Sequence, residues 1–220
     1  MNGILGFAGL LKEVNFTGDE KEEYIRAIDY SGKRMLNTIG NIVDTALIQS
    51  GQMPVSISET NINNQIEQIF NLSKAEAKQK GIEISCQTPA NDEDIIINTD
   101  EGKLFSVLSK LVNNALKFTD HGKVEFGFKR KDETSKPAGS GIDDELEFYV
   151  TDTGIGIPAD RQKAIFENFE HADIANARAF QGVGLGLSIS KAYVEMLGGK
   201  IGVESKAGNG TTFYFTLPVK

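Results

Sequence analysis

Cysteine is almost absent. Cys86 is the single one, so no internal disulfide can form and no cysteine-based metal cluster can assemble. It alternates with Ile82 and Ile84, which reads as a packed strand residue rather than a reactive thiol. Positive charge is also scarce: 23 Lys and Arg stand against 31 Asp and Glu, a net charge of −8. That balance excludes a broad nucleic-acid-binding face but leaves room for a few local basic residues. No apolar run is long enough to span a bilayer, no signal peptide is visible, and no internal repeat emerges. The first residues already lie inside an apolar helical pattern without a cap, so the expectation is a fragment of a longer chain. What is present is ordinary globular composition, 40% hydrophobic and 25% charged over 220 residues. That length allows one large or two small domains.

The first fifty residues read as helix. Ile4, Leu5, Phe7, Ala8, Leu10 and Leu11 outline a short amphipathic helix over residues 1–14, and Phe16-Thr17-Gly18 breaks it. Thr17 with Glu20 three residues on predicts a capping box and a long second helix running to about Ser50. Its apolar residues follow helical spacing: Ile25, Ile28, Met35, Ile39, Ile42 and Ala46, with Leu36, Val43 and Leu47 widening the stripe. One short helix cannot cover such a seam, and a bundle made with a second copy of the chain covers it most simply. Packing on the chain's own globular part is the alternative.

Gly51 to Pro54 marks a boundary, which gives two domains, 1–51 and 52–220. After it the chain predicts a strand at Val55–Ile57 and a helix through Ile62, Ile66, Ile69, Phe70, Ser73 and Ala77, stopped by Gly81. Strands follow at 82–86 and 95–97. Asp100 caps a helix that buries Leu104, Val107, Leu108, Leu111 and Ala115. Further strands are expected at 123–130, 146–150, 200–204 and 211–217, with a solvated loop over 131–144, a short helix after Pro158, and little pattern over 170–181. Residues 55–220 thus predict an α+β layer: one mixed sheet with helices on one face.

Four clusters carry chemistry. Gly182, Gly184 and Gly186 alternate with Val183, Leu185 and Leu187, then run into an apolar helical pattern. A bare loop entering a helix exposes unpaired N–H groups and the positive end of the dipole, which suits a phosphate. It is not the dinucleotide pattern, because Gly186 comes one position early and no strand precedes it; a flexible loop before a packed helix is the alternative. Asn114 and Lys117 share one face near the end of their helix, where an amide oxygen can ligate a hard cation such as Mg2+ and an ammonium can meet phosphate. Simple capping explains Lys117 equally well. Asp152, followed by Gly154 and Gly156, stands at a strand end, where a carboxylate can accept from a planar amine; a polar turn is the plainer reading. Gly208-Asn209-Gly210-Thr211-Thr212 joins two strands and by itself reads as a hairpin turn.

In this order and spacing the clusters resemble the ATP-binding domain of sensor histidine kinases, a Bergerat-type ATP site shared with gyrase, the mismatch-repair ATPase and the large heat-shock chaperone. Asn114–Thr119 resembles that family's asparagine motif and Asp152–Pro158 its first glycine motif. Ile165–Phe169 resembles its phenylalanine motif, Gly182–Ser188 its second glycine motif and Gly208–Phe215 its third. Residues 1–50 resemble the dimerisation and histidine-phosphotransfer hairpin. The resemblance implies an antiparallel helical hairpin, forming a dimeric four-helix bundle, followed by an α/β two-layer sandwich. It implies ATP and Mg2+ as cofactors. Asp152 would read the adenine amine, Asn114 would ligate Mg2+, Lys117 would neutralise phosphate charge, and Phe118 would lie against base or sugar. Gly154, Gly156, Gly182, Gly184, Leu185, Gly186 and Thr212 would complete the nucleotide site, with a mobile lid over 170–181. The implied partners are a second copy of the chain and a response-regulator receiver domain, with no nucleic acid and no membrane contact by this fragment. The implied location is cytoplasmic, with room for a membrane-bound parent.

Three departures qualify the resemblance. The phosphoacceptor histidine is missing, and neither His121 nor His171 stands where it should, so the fragment is not expected to phosphorylate itself. Lys110 occupies a position where the family usually has an asparagine. His171 replaces a longer polar or basic residue in the lid, where Arg178 is a rival phosphate contact. Lys110 also disfavours a water-directed ATPase, because hydrolytic relatives carry a Glu there as general base. An ATP-binding interaction module with impaired catalysis is the other alternative.

Overall fold

The computed structural model describes residues 2–11, 17–88, 94–130, 145–167 and 184–219, with side chains from Gly6 onward. The chain divides into two compact units, Met1–Gln52 and Met53–Lys220.

The first unit holds α1 (Asn2–Leu10) and α2 (Gly18–Gln49). The capping box forms as the spacing predicts: Glu20 N–H donates to Thr17 Oγ1, and the Glu20 carboxylate accepts from Thr17 N–H at 2.9 Å. α1 packs on α2, where Phe7 stacks on Tyr24 at 5.8 Å. None of the 32 residues of α2 is buried. Ile25, Met35, Leu36, Ile39, Ile42 and Val43 all stand exposed, so the apolar seam read from the sequence is present, and within the first unit no described residue buries it.

The second unit is a sheet-and-helix sandwich. Its elements in order are β1 (Ser58–Asn61), α3 (Ile62–Lys80), β2 (Glu83–Gln87), β3 (Ile96–Thr99), α4 (Glu101–Phe118), β4 (Lys123–Arg130), β5 (Glu145–Asp152), α5 (Gly186–Met196), β6 (Ile201–Ser205) and β7 (Thr211–Pro218), with one 3-10 turn at Ala164–Phe166 between β5 and α5. Five strands form one mixed sheet in the order β2-β4-β5-β7-β6, with β2 and β4 parallel and the other neighbours antiparallel.

Strand alternation decides what the helices cover. Leu146, Phe148 and Val150 of β5, Val124, Phe126 and Phe128 of β4, and Phe213, Phe215 and Leu217 of β7 are buried on one face. Phe148 stacks on Phe215 at 4.7 Å in the middle of that layer. α3, α4 and α5 pack against it, and α4 contributes Leu104, Val107, Leu108, Leu111, Val112, Ala115 and Leu116. Cys86 sits half-buried, and burial, then the charge of Glu67, pushes its thiol up, as suits a packing residue.

Three expectations need correction. The sheet is not single: β1 and β3 pair antiparallel as a separate two-stranded sheet. No strand forms at Val55–Ile57, because Pro54 has no N–H to give and the Ser56 N–H is taken by Asp100 Oδ2 at 2.9 Å; pairing begins at Ser58. The short helix expected after Pro158 is present only as the 3-10 turn Ala164–Phe166, reached through a run of turns from Ala159. There the chain turns, and Gln162 Nε2 ties it down by donating to Ile157 O at 3.1 Å and Ser205 O at 2.7 Å. The loop expected over 131–144 and the patternless stretch over 170–181 lie outside the described residues.

Candidate functional site

Asp152 closes β5. Alternation places it on the helix-covered face, paired in register with Thr211, and leaves it 6% exposed. Its Oδ1 accepts from Gly154 N–H at 2.8 Å, and the carboxylate also accepts from Thr211 N–H. Burial pushes the carboxyl up, and these two donors only partly oppose it. The ion pairs found among the described residues all lie elsewhere. A buried carboxylate held by neutral donors alone keeps acceptor capacity for a further polar N–H.

At the glycines around it, backbone closes directly on backbone. A Cβ on Gly154 would fall 2.3 Å from Phe118 O, and Ile155 N–H donates to that same carbonyl. Gly156 has φ 68°, and its Cβ would meet Lys206 O at 2.1 Å. Gly210, also at positive φ, backs onto Asp152 O in the same way. These residues let the end of α4, the end of β5 and the β6–β7 turn close tightly on one another. Ser205 Oγ completes the closure, accepting from Ile157 N–H at 2.8 Å and donating to Gly210 O at 2.7 Å.

The end of α4 that packs on Gly154 carries Asn114, Lys117 and Phe118, all half-buried. Lys117 Nζ lies 4.7 Å from the centre of the Phe118 ring, a cation–π distance. Thr119, the C-cap, is buried, and its Oγ1 has no hydrogen-bond partner among the described residues. Lys110, one turn before Asn114, bends back to Ser106 Oγ and lies 6.0 Å from the Tyr193 ring centre.

α5 packs against α4 and supplies the other side. Gly184 has φ 72°, Leu185 is the buried N-cap, and the helix starts at Gly186 with no side-chain cap. No side chain among the described residues caps its first N–H groups, and such a helix start suits an anion. Gly182 lies outside the described residues, as do Asn168 and Phe169 of the expected phenylalanine motif and His171 of the expected lid.

The structure does not bring Thr212 into this group. Thr212 pairs with Thr151 on the opposite face, their hydroxyls 3.0 Å apart. Thr211 is the residue beside Asp152, buried, with its Oγ1 3.0 Å from Ser205 Oγ. The signal that separates the two is strand parity counted back from the apolar Phe213, Phe215 and Leu217.

Among the described residues no cluster of three His, Cys, Asp or Glu could hold a metal. A metal here would rest on the Asn114 amide and on ligand oxygens, a donor set that suits magnesium, which keeps waters and leans on phosphate. A shallow hollow lined by Asn64, Gln65, Glu67, Gln68, Asn71 and Glu101 lies at the opposite end of α4 and contains none of these groups.

A buried carboxylate, a helix-borne amide and ammonium, and a helix N-terminus without a side-chain cap stand on the elements where the sequence placed the nucleotide site. Residues 99–220 match the family described as histidine kinase-, DNA gyrase B-, and HSP90-like ATPase, and the chain belongs to that family. The autoinducer 2 sensor kinase/phosphatase LuxQ of Vibrio vulnificus (strain YJ016) is 34% identical over 222 residues, covering 100% of this chain and 25% of LuxQ. The structure of full-length ShkA in complex with AMPPNP matches with a TM-score of 0.70 and 29% identity, over 99% of this chain and 42% of ShkA. Histidine kinase ThkA in complex with response regulator protein TrrA shares the fold, with a TM-score of 0.66 and 23% identity, over 100% of this chain and 57% of ThkA. The chain spans 11% to 29% of the length of the curated relatives it matches.

Proposed function

We propose that this chain is the catalytic core segment of a sensor histidine kinase. It binds ATP with magnesium and presents the γ-phosphate to a histidine carried elsewhere in the whole protein, for relay to a response-regulator aspartate. The observation that carries the reading is Asp152: buried, held by two backbone N–H groups, and flanked by the phosphate-suited ends of α4 and α5.

Each group has a chemical task. Asp152 accepts from the exocyclic amine of adenine, and Thr211 sits beside it. Guanine turns a carbonyl to the same place and is repelled, so the site selects adenine. Phe118 offers an apolar face to base or sugar, and Lys117 reaches the phosphates. The N-terminus of α5, entered through Gly184, Leu185 and Gly186, donates its N–H groups to phosphate oxygens, with Gly182 just upstream in sequence. Asn114 would hold magnesium, which neutralises charge on the transferring phosphate. Transfer of this kind asks mainly for positioning and charge neutralisation, and these side chains supply both. Lys110 supports a kinase over a water-directed ATPase, because an ammonium cannot deprotonate water at neutral pH. The exposed seam of α2 supports a dimer with a second copy of the chain.

The deciding experiment is an equilibrium titration of the chain with ATP, with and without Mg2+, against GTP. Saturable binding that prefers ATP at least tenfold, on the order expected for a hydrogen-bond-built site, supports the reading. A folded sample that binds neither nucleotide overturns it, and steady phosphate release without an acceptor points instead to hydrolysis.

A further inference from the structure

Lys103 belongs to the first turn of α4, away from the nucleotide end, yet it is nearly buried and heavily engaged. Its ammonium donates to Asp100 Oδ2 at 2.9 Å and to Pro54 O, and it lies 5.4 Å from the centre of the Tyr193 ring on α5. Asp100 in turn accepts from Ser56 N–H at 2.9 Å and Lys103 N–H at 2.9 Å. Tyr193 is 5% exposed, and Lys110, two turns further along α4, approaches the same ring at 6.0 Å. One aromatic ring on α5 is therefore gripped by two ammoniums of α4, and one of those ammoniums also holds the segment that opens the second unit. Residues Pro54, Val55, Ser56 and Ile57 are otherwise exposed, so this grip is their main anchorage.

The far end of α5 is Gly186, seven residues before Tyr193 and on a continuous helix, a span of about 10 Å. A helix that short moves as a rod. A shift of its N-terminus would therefore reach Tyr193, then Lys103, which bonds Pro54 O directly and Ser56 by way of Asp100. Energetic coupling of two sites works in both directions, so displacing the Pro54–Ser56 segment also moves the phosphate-binding end of α5.

We infer that Lys103 and Tyr193 are positioning residues that couple the phosphate end of the site to the segment directly following Gln52. This inference rests on the proposed nucleotide site and adds a line of control to it.

The test is amide hydrogen exchange on the whole chain, free, with saturating adenosine, and with saturating ATP and Mg2+. ATP is expected to slow exchange at the Ser56 amide at least about fivefold, the lower range for coupled sites. Adenosine, which engages the base end alone, leaves that amide unchanged. Tyr193→Leu still binds adenosine but loses the ATP-dependent slowing, and Tyr193→Phe, which keeps the ring face, retains it. Slowing that persists in Tyr193→Leu at saturating ATP overturns the inference, as does a wild-type chain that saturates with ATP and shows no slowing. Should Tyr193→Leu not fold, the wild-type contrast between adenosine and ATP, with Tyr193→Phe beside it, still decides. A wild-type chain that binds neither ligand removes the nucleotide site itself, and the coupling with it.

Discussion

At the scale of single residues the proposed nucleotide site turns on Asp152. Burial raises its carboxyl above the ordinary range, so in the fold its ionised form is disfavoured. The penalty exists above the raised value and disappears as pH falls through it, so acidification does not destabilise the fold through this residue. Ligand binding follows the opposite sense: a donor amine needs the carboxylate, and protonation replaces an acceptor by a donor. Adenine-nucleotide affinity should therefore fall with decreasing pH, starting above the range of an ordinary aspartate, as a titration series by calorimetry would show. Asp152→Asn keeps the shape but turns a donor toward groups that already donate. It should weaken ATP binding about 10- to 100-fold, the worth of a hydrogen bond to a charged group, while thermal unfolding stays cooperative. Thr211→Val should weaken binding measurably and Thr212→Val should not. Asp152 stands out in the sequence because its carboxylate precedes two glycines at a strand end, and the structure buries it there. Thr212 faces away from Asp152 and Thr211 lies beside it; a one-residue shift along a strand exchanges its faces, and the motif alone does not fix that parity.

Among elements, α4 is the one on which the sandwich is built. Its start depends on Asp100, whose carboxyl burial pushes up but which the N–H groups of Ser56 and Lys103, then the Lys103 ammonium, bring down overall. A lowered carboxyl contributes stability that is present above its unfolded value and lost as pH falls through the folded one. Asp100→Ala also strands the buried Lys103 and should cost about 3–5 kcal/mol in urea unfolding, in line with breaking a buried pair. The other end depends on Gly154. A methyl there meets the Phe118 carbonyl, so Gly154→Ala should destabilise by about 1–3 kcal/mol, as overpacking does. The helix ends were the most readable features, since Thr17, Asp100 and Gly81 each act as caps. The strand expected at Val55–Ile57 failed because its amide at Ser56 serves a cap forty-four residues away, a long-range use that local pattern does not reveal.

For the whole molecule, the two units differ in how they bury apolar surface. The second encloses its own core, while α2 leaves its seam to water. That contrast predicts self-association: sedimentation velocity should find a dimer whose mass halves in Ile42→Glu, with the ATP titration of the second unit unchanged. The division after the first fifty residues and the layered α/β class could be seen in the hydrophobic pattern. The separate β1–β3 sheet could not, because which strands pair is settled by contacts distant in sequence.

The direction in which β5 runs has a further consequence. It enters the sheet at Glu145 and delivers Asp152 at the opposite end, and β4 leaves the sheet at Arg130 beside that entry. Seven residue steps of extended chain, about 23 Å, separate the Asp152 carboxylate from the point where residues 131–144 attach. Evolution can lengthen, shorten or rewrite that connection without disturbing the surroundings of Asp152. An experimenter can graft a tag or a fluorophore there with the same freedom, which makes the rim at Arg130 and Glu145 the natural place to attach a reporter of the chemistry at the other end.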